Sequence, residues 1–215
     1  MNTSLQGALL AAGAIALAAP GALAQGTLTQ LSGISAFNIS PDGSTVVGSS
    51  AGSSVIWTNG ITTPIAFGAG SPEAVSAFGI VVGGQNLDPI LGQDAPAWWL
   101  QTTNLWSSLG AHPSLSGGCP DHGSVYGISH DGSVMTGMMW DGCGTDAFTW
   151  SVAGGLVIHT DMLDSARAND ISGDGMQSGG WIQTSSRKAA LWDSAGNLTQ
   201  PLAISHPTAT SEIFG

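Results

Sequence analysis

Positive charge is almost missing from this chain. Of 215 residues only Arg167, Arg187 and Lys188 are basic, against fourteen acids, for a formal net charge of −11. Such a surface repels phosphate backbones and excludes nucleic acid as a partner. Twelve of the acids are Asp, and Glu73 and Glu212 are the only Glu. Cysteine is nearly missing too, with Cys119 and Cys143 alone. Neither belongs to a Cys-x-x-Cys pair and only His122 is near, so a Cys-based zinc site is not expected. Helical periodicity is lacking after the first segment. Beyond that segment no run is apolar enough to cross a bilayer. What the chain does have is 32 Gly and eight Trp within a 42% apolar composition. Disorder is thereby excluded, because so many large aromatics need a core.

Residues 1–24 read as a signal peptide. Ala8 to Ala19 contains only Ala, Leu, Ile and Gly; Pro20 follows, and Ala22-Leu23-Ala24 before Gln25 makes a small-residue cleavage site. No Lys or Arg precedes the run, so the N-terminal amine alone supplies the positive end. The competing reading is an uncleaved anchor. The expectation is an exported protein, extracellular, periplasmic or at the cell surface, with the acidic, Lys-poor surface that suits exported bacterial proteins. Export favours a Cys119–Cys143 disulfide, with two buried thiols as the alternative.

The remainder, residues 25–215, is built from a repeat of about 44 residues. One copy holds Ile39-Ser40-Pro41-Asp42-Gly43, then Gly48 and Val55-Ile56-Trp57. A second holds Ile128-Ser129-His130-Asp131-Gly132, then Gly137 and Ala147-Phe148-Thr149-Trp150. A third holds Ile171-Ser172-Gly173-Asp174-Gly175, then Gly180 and Ala189-Ala190-Leu191-Trp192. From each Ile, Asp comes three residues on, Gly four on and a second Gly nine on. The Trp falls 18, 22 and 21 residues on, so the intervening loop varies. A worn copy, Ala74 to Gly83, has no Asp-Gly turn but leads to Ala97-Trp98-Trp99-Leu100.

Asp-Gly between β-prone runs predicts a hairpin turn in which Asp caps and Gly takes positive φ, at Asp42-Gly43, Asp131-Gly132 and Asp174-Gly175. The later Gly marks a close backbone approach. With the Trp-bearing run and a fourth apolar run, each unit holds four strands, as a propeller blade does. The expected fold is all-β and β-propeller-like, with blades at about 33–70, 71–115, 116–163 and 164–205. Gly26 to Leu31 resembles the fourth strand Gly196 to Leu202 and could close a ring. Ser211 to Gly215 lines up with Ser124 to Gly127, so a further blade is expected to start at 208–215 and the propeller to be incomplete.

These units, Ala-x-x-Ile-Ser-x-Asp-Gly followed by Ala-Phe-x-Trp, resemble the extracellular HAF repeats, named for a His-Ala-Phe tripeptide before the Trp. The naming His is replaced by Asp146 in one unit and Lys188 in another. The first unit has Ser54-Val55-Ile56 there, and the worn one Ala95-Pro96-Ala97. Ser40-Pro41-Asp42-Gly43 also resembles the WD40-like repeats of TolB-type propellers. The resemblance implies an exported, propeller-like repeat protein and implies no established chemistry.

Several residues are candidates for function. Asp42, Asp131 and Asp174 could ring a channel as calcium ligands, but a bare Asp-Gly lacks the many-oxygen loop calcium needs, and turn capping accounts for them. Trp57, Trp150 and Trp192 recur and read as core between blades. Trp140 and Trp181 lie in the variable loop after the second Gly, which makes them the candidate ligand platforms. Asp121 and His122 lie in an apparent insertion after Cys119, where a metal or substrate role competes with a loop pinned by the disulfide. His112-Pro113 and His206-Pro207 recur at matching connections and read as a repeat feature. No His-Glu-x-x-His and no phosphate loop occur. The expectation is a non-catalytic binding or surface-interaction module with a glycan or protein ligand and with no cofactor or metal. The alternatives are a polysaccharide hydrolase or lyase using channel Asp residues, and a structural envelope component.

Overall fold

The structure is a computed structural model in which residues 30–65, 70–113, 122–142, 144–159 and 165–201 are described. Leu31–Gly215 is one compact unit and Met1–Gln30 another, and the description below concerns the former. The signal peptide, Cys119, Asp121, Cys143, His206 and the expected start of a further blade lie outside the described residues.

The chain forms four antiparallel four-stranded sheets in which consecutive strands are neighbours. Blade 1 comprises β1 (Ser35–Ile39), β2 (Thr45–Ser50), β3 (Ser53–Thr58) and β4 (Ile61–Pro64). Blade 2 comprises β5 (Ser71–Val75), β6 (Val81–Asp88), β7 (Gln93–Leu100) and β8 (Leu105–Ser108). Blade 3 comprises β9 (Gly123–Ile128), β10 (Val134–Trp140), β11 (Thr145–Ser151) and β12 (Gly155–Ile158). Blade 4 comprises β13 (Ser165–Ile171), β14 (Gln177–Gln183), β15 (Arg187–Asp193) and β16 (Leu198–Pro201). The first strands of successive blades touch one another. Among the described residues the sheets do not close into a ring. The architecture is that of a β-propeller with four blades in an arc.

One turn starts every blade. In blade 3 the Ser129 hydroxyl accepts from the amide of Val134 at 3.0 Å, and Gly132 donates its amide to the Ser129 carbonyl at 2.9 Å. Ser40 and Ser172 do the same for Thr45 and Gln177. Blade 2 lacks Asp-Gly yet makes this turn. Ser76 accepts from Val81 at 3.0 Å, while Phe78 (φ +59) and Gly79 (φ +67) both take left-handed backbone. The serine, not the aspartate, is therefore the constant element, and Phe78 carries the strain that a non-glycine incurs there.

Strand alternation gives each blade two apolar faces. Val82, Trp99 and Val75 pack against Val47 and Ile56 of blade 1. On the opposite face Val81 packs with Val125, Met135 and Phe148 of blade 3, and Trp98 and Leu100 lie against them. Ala147 joins Ala166, Ala168, Ile182, Ala190 and Trp192 between blades 3 and 4. The repeat Trp residues share one register: Trp57, Trp99, Trp150 and Trp192 pair with Val46, Val82, Met135 and Ser178. Trp99 and Trp192 are buried against the preceding blade, Trp150 lies 5.9 Å from Trp98 of blade 2, and Trp57 of blade 1 is half-buried. Full burial of a large apolar side chain, as at Trp99 and Trp192, contributes about 2–3 kcal/mol.

Candidate functional site

Each first strand carries a β-bulge at the same place. Register slips between Ala36 and Asn38, between Pro72 and Ala74, between Val125 and Gly127, and between Ala168 and Asp170. The extra residues are Phe37, Glu73, Tyr126 and Asn169, two positions before Ile39, Val75, Ile128 and Ile171. A bulge re-aims the side chain it inserts. All four line one cleft of about 650 Å³ between the first strands.

The recurring second Gly makes the bulge possible. A Cβ at Gly48, Gly84, Gly137 or Gly180 would overlap the carbonyl oxygen of Ser35, Ser71, Ser124 or Arg167 on the neighbouring first strand. Only a residue without a side chain lets the two strands approach this closely. In the worn second unit that glycine is Gly84, nine residues after Val75.

The cleft has one described cation. Arg167 lies over the Tyr126 ring, 4.8 Å from its centroid, and its Nε donates to the Asn169 side-chain oxygen. This stacking and hydrogen bonding fix the guanidinium on the wall. Burial raises the Tyr126 pKa above its ordinary value, with Arg167 opposing the shift and Glu73 adding to it. Glu73 accepts from the Ser71 hydroxyl at 3.0 Å, and the Asn38 amide donates to the Glu73 backbone carbonyl at 3.0 Å. Asp170, also on the wall, has its carboxyl pKa raised by burial, which the Ile171 amide at 2.8 Å partly offsets. Phe37 and Ile39 supply apolar area at the blade 1 side. Such an arrangement can hold a ligand with both polar and apolar surface.

The turn aspartates are engaged elsewhere. Asp131 accepts from the Ser133 amide at 2.9 Å and from the hydroxyls of Ser133 and Ser129, which hold its pKa down at about 2. The hydroxyls of Ser40 and Ser44 hold Asp42 down at about 2, and Asp174 is lowered chiefly by Ser172. Gly43, Gly132 and Gly175 take φ of +72, +77 and +72. Among the described residues no group of three metal-ligating side chains occurs.

Trp140 and His122 adjoin each other through backbone: the Trp140 amide donates to the His122 carbonyl at 2.9 Å. Trp140 is half-buried and His122 exposed. Trp181 differs from the expectation of an exposed platform. It is only 6% exposed, and the Arg187 guanidinium lies 4.2 Å above its ring. His112 is buried, with Nε2 3.0 Å from Oδ2 of Asp146 in the next blade. The spacing Gly-x-Ser-x-Gly does occur, at Gly48 to Gly52, but Ser50 pairs with Ser53 in a β-hairpin, whereas a nucleophile elbow joins strand to helix.

The four cleft residues escape a reading of the repeat because the positions on either side of them vary as well: Ala36 and Asn38, Pro72 and Ala74, Val125 and Gly127, Ala168 and Asp170.

Fold and cleft together define a β-propeller-type repeat protein. No family model matches the chain, and no curated protein matches it. Among solved structures it is similar to a TolB-type protein from Agrobacterium tumefaciens, with a TM-score of 0.55 and 16% identity over 78% of this chain and 61% of that one. It is also similar to TolB from Acinetobacter baumannii, with a TM-score of 0.55 and 14% identity over 77% of this chain and 43% of that one. The chain thus spans about three fifths of the first and under half of the second, and at these identities the likeness carries the fold.

Proposed function

We propose that this protein is an exported binding module that takes its ligand in the axial cleft and does no chemistry on it. The observation that carries the reading is the row of bulged positions: Phe37, Glu73, Tyr126 and Asn169 differ from blade to blade while the turns, glycines and Trp residues around them repeat. The turn serines, the close-approach glycines and the Trp residues hold each blade together and recur, whereas the bulged side chains are not held to one residue type. Engagement of Asp42, Asp131 and Asp174 in their turns supports capping over a catalytic role for these three residues. The signal-like residues 1–24, the acidic surface and the HAF-like repeats support export to the periplasm, cell surface or medium.

One observation favours a hydrolase or lyase as the second reading. Asp170 has a raised pKa in the same cleft as Glu73, the setting of a general acid beside a second carboxylate. Biolayer interferometry on glycan and peptide arrays, with the natural chain and a variant bearing Ala at 37, 73, 126 and 169, separates the readings. Binding that is lost in the fourfold variant, with no product released from the bound ligand, is the expected result. Product release abolished by Asp170→Asn would overturn the non-catalytic reading, and undiminished binding by the fourfold variant would remove the ligand from the cleft.

A further inference from the structure

The cleft wall is divided by chemistry in a way that narrows the ligand class. At the register of Ile39 the other blades place Val75, Ile128 and Ile171, all buried, whereas Ile39, on the blade with no preceding neighbour among the described residues, is 57% exposed and Phe37 beside it 47%. Both belong to the cleft. Elsewhere the wall carries Tyr126, His130 and Arg167 and four planar polar groups, the amides of Asn38 and Asn169 and the carboxyl groups of Glu73 and Asp170, one atom of each already bonded within the protein.

A pyranose has the matching division. Its faces present C–H groups that stack on aromatic and aliphatic surface, and its rim carries adjacent hydroxyls that a carboxylate or amide engages in pairs. A wholly apolar ligand would strip water from Glu73 and Asp170 without replacing it, at a cost no stacking on Phe37 offsets. An anionic ligand would face the acidic side chains of Glu73 and Asp170 and a chain of net charge −11, and the Arg167 guanidinium is held on Tyr126 and Asn169.

We propose that the axial cleft binds a neutral oligosaccharide, one sugar face stacked on Phe37 and Ile39 and its hydroxyls held by Asn38, Glu73, Asn169 and Asp170. The inference rests on the cleft being the binding site, and the two can fail separately.

The test is isothermal titration calorimetry of the full chain with cellohexaose, maltohexaose, mannohexaose and chitohexaose, and with hexagalacturonate as the acidic counterpart. The expected result is binding of at least one neutral hexaose in preference to hexagalacturonate. Phe37→Ala and Asn169→Ala should each weaken it about tenfold, the loss of one stacking or hydrogen-bonding partner. Val152→Ala, in the exposed turn between β11 and β12, should bind as the natural chain does. Phe37 is half-exposed, so its truncation should leave the melting temperature near that of the natural chain; Asn169→Ala gives the same reading without touching the apolar wall. Binding of no neutral hexaose, or a preference for hexagalacturonate, overturns the inference. Neutral binding that both variants leave unchanged overturns it too. If peptides bind on the array and the fourfold variant loses them, the binding-module reading stands and the sugar assignment alone fails.

Discussion

Two glycines that look alike in the repeat hold their places for different reasons. A methyl group at Gly137 would overlap the Ser124 carbonyl oxygen, while the space around Gly43 is open and only its φ of +72 resists substitution. Gly137→Ala must force β9 and β10 apart, which costs about 3 kcal/mol. Gly43→Ala strains one turn at about 1 kcal/mol. Urea unfolding midpoints should show the first loss well above the second, and equal losses would refute the close-approach account. His159 supplies a second residue-scale prediction. It stands where blade 1 has Ile65 and blade 2 Leu109, judged by the amide each donates to the third strand or its edge. Nε2 meets the Thr149 hydroxyl at 2.9 Å, and the ring lies 5.2 Å from Trp192. Burial lowers its pKa from 6.5 to about 4, with Asp193 opposing the shift. Between those values the unfolded chain binds a proton that the folded chain refuses. Stability from this group is complete above pH 6.5 and is lost as pH falls through 4, a total of about 3 kcal/mol. His159→Leu should flatten the melting temperature between those two pH values; an unchanged slope would refute the assignment. Asp42 and Asp131, with pKa held at about 2 against 3.8, lose their contribution only below that window.

At the scale of elements, blades are tied by polar clips as well as by apolar faces. The Ala77 amide donates to the His130 carbonyl at 3.0 Å, and the His130 amide to the Gly173 carbonyl at 2.8 Å, linking the turns of blades 2, 3 and 4. Asp146 of β11 meets His112 of the preceding connection. Asp146→Ala should cost about 1 kcal/mol, and a double variant with His112→Ala should cost less than the sum of the two. Full additivity in thermal unfolding would show that the pair does not interact. The strands were legible in the sequence because Ser-x-x-Gly turns and the Trp register recur. The second blade was harder to read. Phe78 replaces the Asp that makes the turn recognisable, although Ser76 and Gly79 still build it. The cleft was not legible at all, since a bulge is a mismatch between two strands and appears only when they are paired.

Across the whole molecule, cover is uneven. Blades 2, 3 and 4 each lay their first strand against the blade before, and blade 1 has no such neighbour among the described residues. Amides of β1 should therefore exchange with solvent at least about tenfold faster than those of β5, β9 and β13, because opening them exposes less buried surface. Hydrogen exchange resolved to single strands checks this, and equal protection would mean that the apolar side of blade 1 is covered in solution. The bulge has a consequence for engineering as well. Its four side chains stand off the ladders that hold the sheets, so positions 37, 73, 126 and 169 can be randomised together with little loss of folding. A display library built on those codons would turn the arc into a scaffold for selecting new recognition.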